Sequence, residues 1–312
     1  MDTVDQLALL GFNDINIKPI EERFSTIITV RGENVYIKGV LEEVESVEKV
    51  FKEMIYVLNT SGKLSENDVR TIINLTSQGK EVINEKEIDN IILYTKKDVI
   101  KAKTPTQIEY VNIVQKNDIC FAIGPAGTGK TYLAVALAVA SLKKGIVQRI
   151  VLARPAVEAG ESLGFLPGDF KEKIDPYLRP LYDALQDMLP ADQLSNYMLK
   201  GIIEIVPLAY MRGRTLNNAY VILDEAQNAT TTQMKMFLTR LGPNSKSIIT
   251  GDITQIDLPS KTQSGLVQVQ SILGTVEGVG FVYFKKSDVV RHKLVKDIID
   301  AYEKFNNGEE KH

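Results

Sequence analysis

Cysteine and histidine are nearly absent from this chain, which has one of the first and two of the second among 312 residues. A single cysteine excludes an internal disulfide, and one Cys with two His cannot assemble the common zinc sites. Cys120 lies in the apolar run Ile119-Cys120-Phe121-Ala122-Ile123 and reads as a small core residue. Long hydrophobic runs are missing too. The longest, residues 132–142, falls well short of the roughly 20 residues that cross a bilayer. The first residues, Met1-Asp2-Thr3-Val4-Asp5, carry acid where a secretory signal carries base. The expectation is a cytoplasmic protein with no membrane partner. A large charge of either sign is also lacking. The net charge is −3, so nothing global announces a nucleic-acid partner. The distribution is uneven, however: residues 1–100 hold 12 Lys/Arg against 18 Asp/Glu, and the remainder 25 against 22. A local site for nucleic acid belongs in the second part.

What is present is ordinary globular material, 44% apolar and 25% charged, enough to bury a full core. The length suggests two domains, or one large domain with an appendage. Residues 26–30 and 34–38 read as two short strands joined by a turn at Arg31-Gly32-Glu33. A helix follows over about 41–58, with Val44, Val47, Val50, Phe51, Met54 and Ile55 on one side and Glu42, Glu43, Glu45 and Glu48 in water. This gives a small α+β unit over 1–62. Residues 63–104 read as a charged linker containing a polar helix at about 66–78. Pro105 biases Thr104 away from helix and marks the next boundary. From 105 to 305, apolar strand runs at 119–123, 148–153, 202–206, 219–223, 247–250 and 280–284 alternate with helical stretches. That pattern predicts an α/β domain with a mainly parallel sheet covered by helices on both faces. Residues 306–312 form a polar tail.

Two strings in that domain carry chemistry. Gly124-Pro125-Ala126-Gly127-Thr128-Gly129-Lys130-Thr131 matches G-x-x-x-x-G-K-[ST] at every fixed position, between an apolar strand and a helix opening at Tyr132. Glycines let backbone N–H groups converge on phosphates, and the helix N-terminus adds partial positive charge. These eight residues and Tyr132 form the candidate nucleotide contacts. Lys130 is placed to reach the β and γ phosphates, and Thr131 to coordinate Mg2+. The second string, Ala219-Tyr220-Val221-Ile222-Leu223-Asp224-Glu225, is a core strand ending in two acids. Acids at the tip of a buried strand need a partner. Asp224 would hold Mg2+ directly or through water, and Glu225 would activate the attacking water. The competing role for Asp224 is a helix N-cap.

Asp224-Glu225-Ala226-Gln227-Asn228 and Gly251-Asp252-Ile253-Thr254-Gln255 resemble the second and third motifs of superfamily-one helicases. The resemblance implies that Gln255 senses the γ-phosphate or its water, and that Gln227 couples nucleotide state to the rest of the protein. Thr106-Gln107 resembles the adenine-reading glutamine of the same enzymes, which would favour ATP over GTP, or it is a plain surface residue. Longer strings narrow the match: Arg154-Pro155-Ala156-Val157-Glu158-Ala159-Gly160-Glu161, Leu163-Gly164-Phe165-Leu166-Pro167-Gly168-Asp169, Met211-Arg212-Gly213-Arg214-Thr215-Leu216 and residues 251–258. Together these resemble the PhoH family of bacterial ATPases over residues 101–305. The resemblance implies a P-loop NTPase with a RecA-like core, preceded by a small KH-like domain. Gly32 has no second glycine three residues on, so the RNA-clamping G-x-x-G loop is missing. Residues 1–62 could serve structure, oligomerisation or RNA.

Helicases of that type place ATP between two cores, and only one core fits here. A neighbouring subunit in a homo-oligomeric ring would complete the site by supplying an arginine. Arg291 is the first candidate and Arg240 the second. Residues 154–179, rich in Gly and Pro, read as a shaped loop. Arg154, Arg212 and Arg214 either contact RNA phosphates or brace the nucleotide site or a subunit interface. The expected activity is Mg-dependent ATP hydrolysis coupled to single-stranded RNA, in company with an RNA-processing nuclease. The alternative is a nucleotide-dependent switch or assembly factor without translocation. Phosphoryl transfer to a small molecule fits less well, because Glu225 is placed to activate water and no arginine-rich lid is evident.

Overall fold

A computed structural model of the chain describes residues 5–32, 34–61, 64–77, 90–95, 99–155, 170–259, 263–290 and 298. Two short helices, α1 (Gln6–Leu10) and α2 (Lys18–Arg23), precede the expected hairpin. Strands β1 (Ile27–Arg31) and β2 (Asn34–Lys38) pair antiparallel, Ile28 opposite Ile37 and Val30 opposite Val35. Exposure alternates along both strands, so Ile28, Val35 and Ile37 turn inward. They face helix α3 (Leu41–Ser61), which buries Val47, Val50 and Met54 completely.

The core of this unit runs past residue 62, where the sequence pattern had placed its end. Helix α4 (Glu66–Ser77) packs against α2 and α3 and buries Val69, Ile72 and Ile73 in the same cluster. Three apolar residues at spacings of three and one make a narrow stripe, enough to dock a helix that is otherwise polar. The remaining linker also contains unanticipated strands. Here β3 (Ile91–Tyr94) and β4 (Val99–Lys101) form a second antiparallel hairpin. Their Leu93 and Ile100 join the core of the following domain.

That domain proceeds through α5 (Pro105–Lys116), β5 (Ile119–Ile123), α6 (Lys130–Lys143), β6 (Arg149–Arg154), α7 (Phe170–Met188), α8 (Ala191–Leu199), β7 (Ile203–Pro207), β8 (Ala219–Leu223), α9 (Thr231–Leu238), β9 (Lys246–Gly251), α10 (Gly265–Leu273) and β10 (Val279–Tyr283). Six strands form one sheet in the order β10-β5-β9-β8-β6-β7, and every pairing is parallel. Alternate residues of each strand serve two apolar layers. Cys120, Ala122, Leu152 and Ile222 face α6 and α7, whereas Phe121, Ile123, Val151 and Val221 face α9 and α10. Burial on both faces is why these strands read as continuous apolar runs. Since all six run the same way, their carboxyl ends share one edge, where open α/β sheets bind ligands. Gly124, Asp224, Asp252 and Phe284 each lie just beyond a strand end on that edge, and Arg154 closes β6.

One expectation is corrected. Residues 170–179, read as the end of a Gly- and Pro-rich loop over 154–179, are the start of α7, with Pro176 and Pro180 inside the helix. Both prolines are exposed, so water can reach the carbonyls they leave unpaired. The opposite side buries Leu178, Leu181 and Leu185, and that packing holds the helix. Residues 156–169 and the tail 306–312 lie outside the described residues. Among the described residues no helix is long and apolar enough to cross a membrane.

Candidate active site

The glycine-rich loop connects β5 directly to α6, as its sequence predicts. Gly124 closes against the neighbouring strands. Its N–H donates to Gly251 O at 3.0 Å, and a β-carbon there would sit 2.5 Å from Phe284 O. Its φ of 150° also favours glycine. Lys130 begins α6 and folds back over the loop, its Nζ donating to Gly124 O at 2.6 Å and Pro125 O at 2.7 Å. Thr128 Oγ1 donates to Pro125 O. Burial lowers the Lys130 ammonium, while the carboxylates of Asp252, Glu225 and Asp224 oppose that shift. Ala126, Gly127, Gly129, Lys130, Thr131, Tyr132, Asp224, Glu225, Asp252 and Gln255 thus surround one cavity of about 260 Å³.

The two chemistry-bearing strings meet at Asp224. Thr131 Oγ1 donates to Asp224 Oδ1 at 2.6 Å, and Thr250 Oγ1 donates to the same oxygen at 2.7 Å. Asp224 is buried, and its donors are hydroxyls instead of a capped helix. Thr131 and Asp224 offer hard oxygen ligands to Mg2+. Among the described residues no three His, Cys, Asp or Glu side chains gather as a metal cage. An ion held here would take its other ligands from phosphate and water, which is the habit of Mg2+.

Glu225 sits in the left-handed region, φ 52° and ψ 40°, a conformation costly for a residue with a side chain. Both of its oxygens are engaged. Oε1 pairs with Arg154 at 3.3 Å, and Oε2 accepts from Gln227 Nε2 at 2.5 Å. Gln227, itself fully buried, also accepts the Asp252 N–H at 3.0 Å. It therefore ties the end of β8 to the end of β9. Gly251 permits this, since a β-carbon there would lie 2.8 Å from Gln227 Oε1 and 2.4 Å from Leu266 Cδ2. Asp252 lines the same cavity, and sequence reasoning left it without a role. It is buried, and it accepts from Thr254 N–H and Oγ1 and from Gln255 Nε2 at 3.0 Å. The signal was available: an acid just past a core strand, as at Asp224.

The arginines divide. Arg154 braces the site, with one nitrogen on Glu225 and another donating to Tyr177 O of α7 at 2.7 Å. Arg214 pairs with Glu204 at 2.8 Å. Arg240 donates to Met236 O, Arg214 O and Thr239 Oγ1 of its own chain. Arg212 is exposed. Arg291 lies outside the described residues, directly after Val290, whose N–H donates to Gly127 O at 3.0 Å.

Gln107 is not a surface residue, and its amide is not held out toward a ligand. Nε2 donates to Thr128 O at 2.9 Å, and Oε1 accepts the Lys103 N–H at 2.7 Å. It stands on the wall of a second cavity, about 520 Å³, which adjoins the phosphate loop at Gly127, Gly129 and Tyr132. Val99, Ile100, Lys101 and Lys103, from the stretch read as linker, form another wall. Cys120 is the core residue expected, its thiol pushed up to about 12 by burial.

Comparison with known proteins adds lineage to this geometry. A family profile described as PhoH-like protein matches residues 99–303. A PhoH-like protein of Bacillus subtilis is 50% identical over 303 residues, covering 97% of this chain and 95% of that protein. One from Synechocystis is 45% identical, covering 96% and 92%. Protein PhoH of Escherichia coli is 48% identical over 206 residues, covering 65% of this chain and 58% of that protein. Among solved structures, the Sulfolobus solfataricus SWI2/SNF2 ATPase core in complex with dsDNA aligns with 64% of this chain and 48% of that one. Its identity is 12% and its TM-score 0.37, a likeness too distant to inform on function.

Proposed function

The chain belongs to the PhoH family, and on that premise we propose that it is a Mg-dependent ATPase of the P-loop class. The observation that carries this is the 2.6 Å hydrogen bond between Thr131 and Asp224. It brings the phosphate loop and the acid-tipped strand to one point, with Glu225 the next residue. The two cavities share the wall at Tyr132, so phosphates would occupy the smaller one and the nucleoside the larger. Thr131 and Asp224 would hold Mg2+, which when bound neutralises phosphate charge and stabilises the departing oxygen. Lys130 would exchange its two loop carbonyls for β and γ phosphate oxygens, a charge-assisted replacement. Gln255 would meet the γ-phosphate or its water, oriented by Asp252. Glu225 would take the proton of that water, for which one of its oxygens must leave Arg154 or Gln227.

The test is steady-state phosphate release. Lys130→Ala and Glu225→Gln should each lower it by at least about 100-fold, while Glu225→Gln should still bind ATP. Normal hydrolysis by Glu225→Gln would remove the base assignment.

Family resemblance also supports coupling to single-stranded RNA, with an RNA-processing nuclease as partner and a homo-oligomer as the working form. A second reading, a nucleotide-dependent switch without translocation, is favoured by one observation: Arg154 and Arg214 spend their charges on Glu225 and Glu204. Hydrolysis measured with and without single-stranded RNA across salt concentrations separates the two, since phosphate contacts make RNA binding salt-dependent.

A further inference from the structure

Gln107 lines the cavity proposed for the nucleoside, yet its hydrogen bonds point elsewhere. It is 3% exposed. Its Nε2 holds Thr128 O in the phosphate loop, and its Oε1 holds the Lys103 N–H just beyond β4. Its own N–H donates to Thr104 Oγ1, the N-cap of α5, at 3.2 Å. The loop's next residue is shaped to accept this: a β-carbon on Gly129 would lie 3.1 Å from Gln107 Nε2.

A second arm reaches the same loop from the far end of the domain. Val290 N–H donates to Gly127 O. Asp288, buried at 4% exposure, accepts the Lys285 N–H at 2.8 Å, and against the raising effect of burial the nearby Thr104 and Thr106 hydroxyls help hold its carboxyl below the ordinary value. The two arms therefore approach each other at the start of α5. One arm holds the Gly127 carbonyl and the other the Thr128 carbonyl. Since a trans peptide sets each C=O against the N–H of the next residue, the N–H groups of Thr128 and Gly129 are turned away from the two arms. Apart from Gln107, the wall of the larger cavity is mixed: Tyr132 and apolar Leu133, Val99, Ile100 and Val290 stand beside Thr95, Lys101, Lys103 and Asp187. The apolar members can pack against the face of any base.

We infer that Gln107 is a positioning residue for the phosphate loop, and that the site selects its substrate by the triphosphate, accepting purine nucleoside triphosphates with little regard to the base. This rests on the nucleotide site proposed for the chain. It differs from a bidentate adenine reader in a measurable way. A site built to hydrogen-bond one partner rejects the analogue that lacks the match by about 10⁴-fold or more.

The experiment uses the full chain with ATP, GTP and inorganic tripolyphosphate, which has no base. In the wild type, ATP and GTP should bind and turn over within about tenfold of each other. Gln107→Ala should weaken ATP, GTP and tripolyphosphate by one common factor, because the lost contact belongs to the loop. Gln107→Glu keeps the acceptor for Lys103 but loses the donor to Thr128, so it should behave like the alanine variant. Thermal melts identify a variant that has merely failed to fold. The wild-type comparison of the three ligands then decides without it. A wild-type preference for ATP over GTP of about 10⁴, or tripolyphosphate binding untouched by Gln107→Ala while ATP binding falls, would overturn the inference. If the wild type binds all three ligands alike but releases no phosphate from either nucleotide, the hydrolase reading fails and the inference stands.

Discussion

Glu225 illustrates how much of this site is decided by single residues. Its left-handed backbone costs about 1–3 kcal/mol, and three neighbours hold it there: Arg154, Gln227 and, through Gln227, the Asp252 N–H. Gly251 is the residue that lets Gln227 approach. Gly251→Ala should push Gln227 off the Asp252 N–H, destabilise the fold by about 1–3 kcal/mol, and lower hydrolysis more than nucleotide binding. Denaturant melts and ATP titrations check both. Glu53 offers a separate test at the same scale. It is buried and accepts a 2.7 Å hydrogen bond from Tyr94 OH. Burial raises its carboxyl above the ordinary 4.5, against the lowering effect of that bond. A raised folded value means the folded chain holds the proton more tightly than the unfolded chain. The stability it contributes is complete below 4.5 and is lost as pH rises through the folded value. Glu53→Gln keeps an acceptor for Tyr94 and cannot ionise. It should raise the melting temperature at pH 7 to 8 and make no difference below about pH 4.

At the scale of elements, the six parallel strands were legible because burial on both faces leaves no polar alternation to confuse. The phosphate loop was legible because its function requires glycines at set positions on a strand-to-helix turn. Helix α4 and the β3–β4 hairpin were harder to place. Helix α4 is largely polar and the two strands are only four and three residues long, and a few apolar residues, such as Ile72 and Leu93, reveal which core each joins. Ile72→Ala should cost about 2–5 kcal/mol in the stability of the N-terminal unit. If α4 were a free tether, denaturant melts of that variant would match the wild type. Helix α7 was hidden for the opposite reason: the glycines before it and Pro176 suggested a loop, yet Pro176 and Pro180 both fall on the side where water replaces the missing hydrogen bonds.

At the scale of the whole molecule, one core supplies Lys130, Asp224 and Glu225 to a single cavity, while the arginine of a two-core enzyme has no second core to come from. In the proposed ATPase an arginine finger would contribute about 10³–10⁵ in rate, so its source would govern turnover. Arg240 is spent within its own chain. Arg291 follows a residue tied to its own phosphate loop. Mixing Arg291→Ala chains with Glu225→Gln chains distinguishes a trans finger from a cis one. Recovery of phosphate release would show that a neighbour supplies it, and continued inactivity at every mixing ratio would place the residue within its own subunit. The amino-acid sequence by itself determined the phosphate loop and the acid-tipped strand, because each is a local pattern complete within a few consecutive residues, and the parallel α/β class, because apolar strand runs alternate with helices along the chain. Only the tertiary structure decided what Gln107, Arg154 and Gln227 touch. Their partners Thr128, Glu225 and Asp252 come from other strand ends. Which polar groups meet across a sheet edge depends on strand order and register, and no short stretch of sequence carries those.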